Sequence, residues 1–125
     1  MCWLKQLDVL ICDDSMLIRK KLKDLLEKLG CRVWEAQNGE AGLEVYQQVN
    51  PQAVFMDIVM PKVGGLDALK KIKIYDPSAK VIMLSSTGTA TKLAEAIKNG
   101  AVDFIQKPYE DEQIRHALKK ISVKG

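Results

Sequence analysis

Five short runs of apolar residues recur along the chain and are separated by longer segments of mixed character. The runs occupy residues 9–12, 31–34, 53–56, 81–84 and 102–105. The first, third and fourth are almost continuously apolar, which is typical of parallel strands covered on both faces. The second contains Arg32 and the fifth contains Asp103, so these two strands are predicted to lie nearer the edges of a sheet.

The segments between these runs repeat apolar residues every three or four positions, the period of an amphipathic helix. Helices are predicted at 16–29, 39–49, 65–75, 89–99 and 110–123. The first and fourth end at Gly30 and Gly100, while Pro51 and Pro77 end the second and third, since the residue before proline avoids the helical region. Strict alternation of strands and helices predicts one α/β domain over 1–125, a (βα)₅ doubly wound, five-stranded parallel sheet.

Polar side chains follow four of the five predicted strands. Asp13 and Asp14 follow the first strand, Asp57 the third, Ser85 the fourth and Lys107 the fifth. The carboxyl ends of parallel strands meet at one edge of the sheet, where doubly wound folds bind their ligands. The sequence therefore predicts that these side chains converge.

Three carboxylates gathered at one edge repel one another unless a cation neutralises them, and carboxylate oxygens are ligands that Mg²⁺ prefers. A bound metal in turn makes the central carboxylate, Asp57, a plausible acceptor of a phosphoryl group. Lys107 and Ser85 can then bind the phosphoryl oxygens. Each residue alone has an ordinary explanation as a helix cap or turn residue, so the prediction depends on the set.

Composition narrows the possible functions. The net charge is +3 and the basic residues are dispersed, whereas a nucleic-acid binder more often carries a basic stripe. No apolar run approaches the roughly 18 residues of a membrane span. The three cysteines, Cys2, Cys12 and Cys31, are odd in number and lack CxxC spacing, which is typical of reduced thiols. We therefore expect a cytoplasmic protein that neither binds nucleic acid directly nor inserts into a membrane.

Four stretches carry a more specific resemblance. They are Val-Leu-Ile-Cys-Asp-Asp-Ser at 9–15, Met-Asp-Ile-Val-Met-Pro-Lys-Val-Gly-Gly-Leu at 56–66, Met-Leu-Ser-Ser at 83–86 and Phe-Ile-Gln-Lys-Pro-Tyr at 104–109. These motifs, with separations of 43, 28 and 22 residues between Asp14, Asp57, Ser85 and Lys107, resemble those of response-regulator receiver domains of two-component systems. The resemblance covers nearly the whole chain and implies a flavodoxin-like, CheY-like fold.

The resemblance also implies roles for the residues at the strand ends. Asp57 would accept a phosphoryl group from a histidine kinase. Asp13, Asp14, Asp57 and the backbone carbonyl of Val59 would hold Mg²⁺, with Mn²⁺ able to replace it. Lys107 and Ser85 would bind the phosphoryl oxygens. The bond between Lys107 and Pro108 resembles the family's cis peptide. Such a protein is a switch that catalyses its own phosphorylation and slow dephosphorylation rather than a conventional enzyme.

The switch implied by the resemblance begins with the charge that phosphorylation adds. Ser85 would move toward the phosphoryl group and Phe104 would turn into the vacated space. The surface formed by 89–99, 102–105 and 110–123 would change and bind a downstream effector. Phe104 stands where a Tyr is frequent, so it could instead be an ordinary core aromatic. The resemblance also allows for a phosphatase as a partner.

Several other positions are interpreted individually. Val59 cannot orient a water by hydrogen bonding, so slow self-dephosphorylation is the hypothesis; Thr87 is the other position expected to influence water access. Cys12 is predicted to pack in the core rather than react. Trp34 is predicted to face solvent on the second strand, and His116 is interpreted as a surface residue without a metal role.

Three functional hypotheses remain open. The leading one is a single-domain regulator of the chemotaxis type, which the stretches at 85–89 and 96–104 resemble most. A second is the receiver portion of a longer regulator, such as a transcription factor, whose output domain is missing. The third is a Mg²⁺-dependent phosphohydrolase that forms an aspartyl-phosphate. Such an enzyme needs a second Asp two residues after the nucleophile, and that position is Val59.

Overall fold

The computed structural model describes residues 7–86 and 90–124, with side chains through residue 121. The strands are β1 (Asp8–Cys12), β2 (Arg32–Ala36), β3 (Ala53–Asp57), β4 (Val81–Ser85) and β5 (Asp103–Gln106). The helices are α1 (Met16–Lys28), α2 (Gly39–Val49), α3 (Gly65–Tyr75), α4 (Ala90–Lys98) and α5 (Asp111–Lys124). The predicted (βα)₅ order is confirmed, and the predicted helix start at Thr89 lies outside the described residues.

Helix boundaries follow from residues that satisfy terminal backbone groups. The side chains of Ser15 and Asn38 accept hydrogen bonds from the first turns of α1 and α2. Gly30 and Gly100 adopt φ values of 97° and 100°, which glycine reaches without steric cost, just after α1 and α4. Both helices therefore end within one residue of the predicted position.

The edge strands are displaced slightly from the predicted runs. β2 begins at Arg32 because the Cys31 amide still donates to the carbonyl of Leu26, as part of the α1 terminus. It continues to Ala36, which pairs with Cys12 on β1. The apolar run ended at Trp34 in the sequence because the next residue is charged, yet backbone pairing carries the strand two residues further.

All strand pairs are parallel, in the order β2-β1-β3-β4-β5. β2 and β5 are the edge strands, as predicted. The order reverses between β1 and β3, which lie side by side although a helix, a strand and a second helix separate them in sequence. A crevice at the carboxyl ends of β1 and β3 is therefore the expected ligand site of this sheet.

Alternate strand residues fill two apolar layers. One layer packs the sheet against α2, α3 and α4, with Tyr46, Leu69 and Ala96 among its buried members. The other packs the opposite face against α1 and α5, through residues such as Leu26 and Leu118. Because β1, β3 and β4 are covered on both sides, their ends are held rigidly at the crevice.

One exposure prediction needs correction. Trp34 does not simply face solvent: it is half-buried, packs against the layer formed with α2, α3 and α4, and lies 5.9 Å from the guanidinium of Arg32. The ring covers apolar surface at the sheet edge, which a solvent-facing residue would leave bare. Among residues 7–86 and 90–124, no helix is both long and apolar enough to cross a membrane.

Candidate functional site

Three carboxylates meet in the crevice between β1 and β3. Asp57 is the last residue of β3, and Asp13 and Asp14 directly follow β1, whose Cys12 pairs with Met56. One oxygen from each carboxylate lies within 4.8 Å of the others. Asp13 and Asp57 are buried and Asp14 is exposed. The predicted convergence of the three side chains is confirmed.

Lys107 reaches this cluster from the segment after β5. Its ammonium donates to Oδ2 of Asp13 at 2.8 Å and lies 3.5 Å from Oδ1 of Asp57. Its backbone amide donates to the carbonyl of Ser85 at 2.7 Å. The peptide bond between Lys107 and Pro108 is cis, as predicted. The lysine is therefore fixed to the end of β4 by its backbone and to the acidic cluster by its side chain.

The two predicted switch residues, Ser85 and Phe104, belong to the neighbouring strands β4 and β5. Ser85 ends β4, is almost fully buried and pairs with Gln106. Phe104 on β5 pairs with Met83 on β4, the strand that Ser85 ends, and is partly buried against the layer that includes α4. Ser85 and Phe104 therefore belong to adjacent strands. Their proposed movement stays a prediction.

The electrostatics of the site oppose ionisation of Asp57. Burial is the main cause that raises the pKa of this carboxyl above its ordinary value, and the neighbouring Asp13 and Asp14 raise it further. The Lys107 ammonium and the backbone N–H of Val59 act in the opposite direction. The charges of the three acids are thus incompletely balanced by the lysine.

The donor set suits a small, hard cation. Carboxylate oxygens at this spacing are the ligands that Mg²⁺ prefers, and a divalent charge offsets the repulsion that raises the pKa of Asp57. Exposure of Asp14 leaves one side of the cluster open to water, which Mg²⁺ tends to retain as ligand. The residues present therefore fit the predicted metal.

A mainly apolar groove runs beside the cluster between α1 and the segment that begins at Lys107. Its volume is about 660 Å³, and Ile18, Leu22, Pro108 and Tyr109 are among its lining residues. Burial raises the pKa of Tyr109 to about 12, with the negative charge of Asp13 as a further cause. The tyrosine therefore remains a neutral hydroxyl at physiological pH.

Two residues important to the site's geometry were not predicted. Arg19 is buried and donates to the backbone carbonyl of Asp13. Its burial was signalled in the sequence by its position three residues before Leu22, on the apolar face of α1. Gly65 opens α3, and a Cβ there would overlap the carbonyl of Asp57. Its signal was the pair of glycines at 64–65 between the third strand and the third helix.

The remaining individual predictions can be placed as well. Cys12 is buried in the core, and burial together with the adjacent Asp13 raises the pKa of its thiol to about 12, so packing rather than reactivity is confirmed. His116 is exposed on α5, as predicted. Cys2 and Thr87 lie outside the described residues.

Comparison with known proteins agrees with this geometry. The family model of the response regulator receiver domain matches residues 9–119. The chemotaxis protein CheY of Thermotoga maritima is 45% identical over 115 residues, which cover 91% of this chain and 96% of that protein. CheY of Bacillus subtilis is 42% identical over 113 residues, covering 90% and 94% respectively.

A solved structure shows the same likeness in three dimensions. A chain of the CheX–CheY–BeF₃–Mg²⁺ complex from Borrelia burgdorferi aligns with a TM-score of 0.89 and 30% identity, covering 94% of this chain and 90% of that one. Fold and site thus define a phosphoacceptor switch on a doubly wound sheet. The chain belongs to the response regulator receiver domain family and is a phosphorylation-activated switch of two-component signalling.

Proposed function

We propose that Asp57 is the phosphoryl acceptor and that a histidine kinase is the donor. The observation that carries this assignment is the convergence of three carboxylates and one lysine at the ends of β1, β3 and β5. Asp57 is the central member because it ends the middle strand of the sheet. Asp13, Asp14, Asp57 and the backbone carbonyl of Val59 would hold Mg²⁺, or Mn²⁺ in its place, which would supply neutralising charge to the transferred group.

The transfer itself needs little covalent chemistry from the protein. An oxygen of Asp57 attacks phosphorus, the bond from phosphorus to the donor histidine nitrogen breaks, and that nitrogen keeps the electron pair. Lys107 already lies 3.5 Å from Asp57 and can donate to one phosphoryl oxygen. The hydroxyl of Ser85 can donate to another. The chain would thereby accelerate its own phosphorylation and later its slow hydrolysis.

Phosphorylation by a small donor tests the acceptor directly. The chain is incubated with acetyl phosphate and Mg²⁺ and its intact mass is measured. We expect a gain of one phosphoryl group that requires Mg²⁺ and disappears in Asp57→Asn. The exposed Asp67 on α3 provides the matched control, since Asp67→Asn should be phosphorylated normally. Phosphorylation of Asp57→Asn, or none of the unmodified chain at any metal concentration, would refute the assignment.

A protein donor is supported by apolar surface next to the acceptor. Met16 and Leu17 are 75% and 64% exposed at the start of α1, one residue beyond the acidic pair. Replacing both with Ser should slow transfer from a kinase but leave acetyl phosphate labelling unchanged. Ile74, 82% exposed at the far end of α3, is the control position. If transfer from the kinase and labelling by acetyl phosphate slow equally, the substitutions have instead damaged the phosphorylation site.

The proposed output surface consists of α4, β5 and α5. Leu93, Ile97 and Val102 expose apolar side chains on this part of the molecule. Beryllofluoride with Mg²⁺ provides a stable substitute for the phosphoryl group, and amide chemical shifts report where the structure changes. We expect changes from Asp57 through Phe104 to Leu93. Changes confined to the residues around Asp57 would contradict a coupled effector surface.

We further propose a single-domain, cytoplasmic regulator of the chemotaxis type over residues 1–125, with an effector protein and a phosphatase as further partners. Support comes from the chemotaxis proteins that this chain matches over nearly their whole length. Phosphotransfer rates should then favour a chemotaxis-type kinase over kinases of transcriptional systems. The reverse preference would favour the second hypothesis, the receiver portion of a longer regulator.

A further inference from the structure

Arg19 connects the acidic pair to the neighbouring edge strand. It lies on α1 with 8% of its surface exposed. Its Nη1 donates to the backbone carbonyl of Asp13 at 2.6 Å, and its Nε donates to Oε1 of Glu35 on β2 at 3.0 Å. A single rigid guanidinium thus joins the turn after β1 to β2.

The carbonyl that Arg19 binds belongs to the peptide unit between Asp13 and Asp14. On one side of this unit the Asp13 amide donates to the backbone carbonyl of Ala36 at 3.1 Å. Beyond it, the Ser15 amide donates to Oδ1 of Asp13 at 2.9 Å. Rotation of the peptide unit would move both carboxylates, so the bond from Arg19 restrains two proposed metal ligands at once.

We propose that Arg19 is a positioning residue of the metal site, which orients the Asp13 and Asp14 carboxylates by holding the peptide between them. This inference rests on the proposed function, because it presupposes that these carboxylates bind Mg²⁺. Outer-shell partners of metal ligands typically change metal affinity by roughly 10- to 100-fold when they are removed. Arg19 acts through the ligand backbone, so we expect an effect near the lower limit of that range.

The sign of the effect separates positioning from simple electrostatics. Arg19 is a cation near a cation site, so loss of its charge alone should tighten Mg²⁺ binding. Loss of the positioning bond should weaken it. Lys23 offers a matched control, because its ammonium lies 3.6 Å from Oε2 of the same Glu35. Arg19→Met and Lys23→Met each remove one positive charge beside Glu35.

Calorimetric titration with Mg²⁺ provides the test, on chains shown by circular dichroism to be folded. We expect Arg19→Met to raise the dissociation constant roughly tenfold and Lys23→Met to leave it unchanged or slightly lower. At saturating Mg²⁺, the acetyl phosphate labelling rate of Arg19→Met should recover. Arg19→Lys keeps the positive charge but lacks the guanidinium group, so it should also raise the dissociation constant for Mg²⁺. This variant provides the test if Arg19→Met does not fold.

The outcomes distinguish the two proposals. If the unmodified chain binds Mg²⁺ and both arginine variants bind it equally well or more tightly, Arg19 does not position the site, while the proposed function stands. If both Arg19→Met and Lys23→Met weaken binding equally, the ion pairs with Glu35 rather than the Asp13 bond are responsible, and the inference is also refuted. If the unmodified chain does not bind Mg²⁺, both proposals fail.

Discussion

Replacing Asp57 with Asn should stabilise the metal-free fold while abolishing phosphorylation. Asp57 is 7% exposed, and one of its carboxylate oxygens lies within 4.8 Å of an oxygen of Asp13 and an oxygen of Asp14. At an effective dielectric constant of about 20, unit charges at that distance repel by roughly 3.5 kcal/mol. Lys107, 3.5 Å away, attracts by roughly 5 kcal/mol on the same basis, and it is shared with Asp13.

The two repulsions together, roughly 7 kcal/mol, exceed this attraction by roughly 2 kcal/mol, and burial adds to the cost of ionising Asp57. Burial is the first cause of the raised pKa of Asp57, which means that the ionised side chain costs folding free energy. Asn keeps a comparable volume and can still accept the N–H of Val59. We therefore expect the free energy of unfolding to increase by about 1 to 3 kcal/mol at neutral pH, the usual cost of a poorly compensated buried polar group.

The same substitution should change the pH dependence. Because the folded-state pKa of Asp57 lies above the unfolded value, the folded chain binds more protons between those two values. Stability of the unmodified chain therefore falls as pH rises through that window, and Asp57→Asn lacks this fall. The advantage of the variant should be fully present above the folded pKa and vanish below the unfolded pKa of about 3.9.

Urea unfolding in EDTA, followed across this pH range, measures the difference. Asp67→Asn is the control: Asp67 is exposed in the first turn of α3, so its loss should reduce stability slightly through the helix dipole. Adding Mg²⁺ should stabilise the unmodified chain more than Asp57→Asn and narrow the gap. A variant that is no more stable than the unmodified chain in EDTA at neutral pH would refute the reasoning.

Three further predictions follow from individual residues. Cys12, with its thiol pKa near 12, should resist maleimide in the folded chain and react on unfolding, and rapid labelling of its peptide without unfolding would contradict this. Tyr46→Phe removes a 2.7 Å hydrogen bond to Asp76 and should cost about 0.5 to 1 kcal/mol in urea unfolding, given solvent screening. This bond is the first cause that lowers the pKa of Asp76, so the stability lost in Tyr46→Phe should disappear as the pH falls through the pKa of Asp76 in the folded chain. A loss of stability that does not depend on pH would contradict this explanation. Val59→Asn can orient a water and should shorten the phosphoryl half-life several-fold, measured by loss of the added mass; an unchanged half-life would argue against this role.

Much of the fold was predictable because its signals are local. Apolar runs, helical periods and residues such as Gly30 and Pro77 determine where elements begin and end. Once the strands are parallel, their carboxyl ends must share one edge, and this places Asp13 near Asp57 without knowledge of any contact. The end of the edge strand β2 was predicted two residues too early because its last residues are held by pairing with β1 rather than by their own hydrophobicity.

The contacts that support the site were not predictable in this way. Arg19 on α1 contacts Glu35 on β2, 16 residues away in sequence, and a single charged residue on a helix usually indicates a solvated face. The role of Lys107 toward a phosphoryl oxygen stays a prediction, but the ion pair of its ammonium with Asp13, 94 residues away in sequence, was not predicted. Such pairings depend on tertiary geometry that periodicity does not contain.

The charge imbalance in the crevice connects stability with signalling. A sequence selected only for stability would not bury Asp13 and Asp57 beside Asp14 with Lys107 as their ion-pair partner in the described structure. The same imbalance makes the site receptive to a divalent cation, and any ligand that binds only the folded state stabilises it. Substitutions that neutralise the crevice should therefore raise metal-free stability and lower Mg²⁺ affinity together, so the two quantities should vary inversely across variants of these carboxylates.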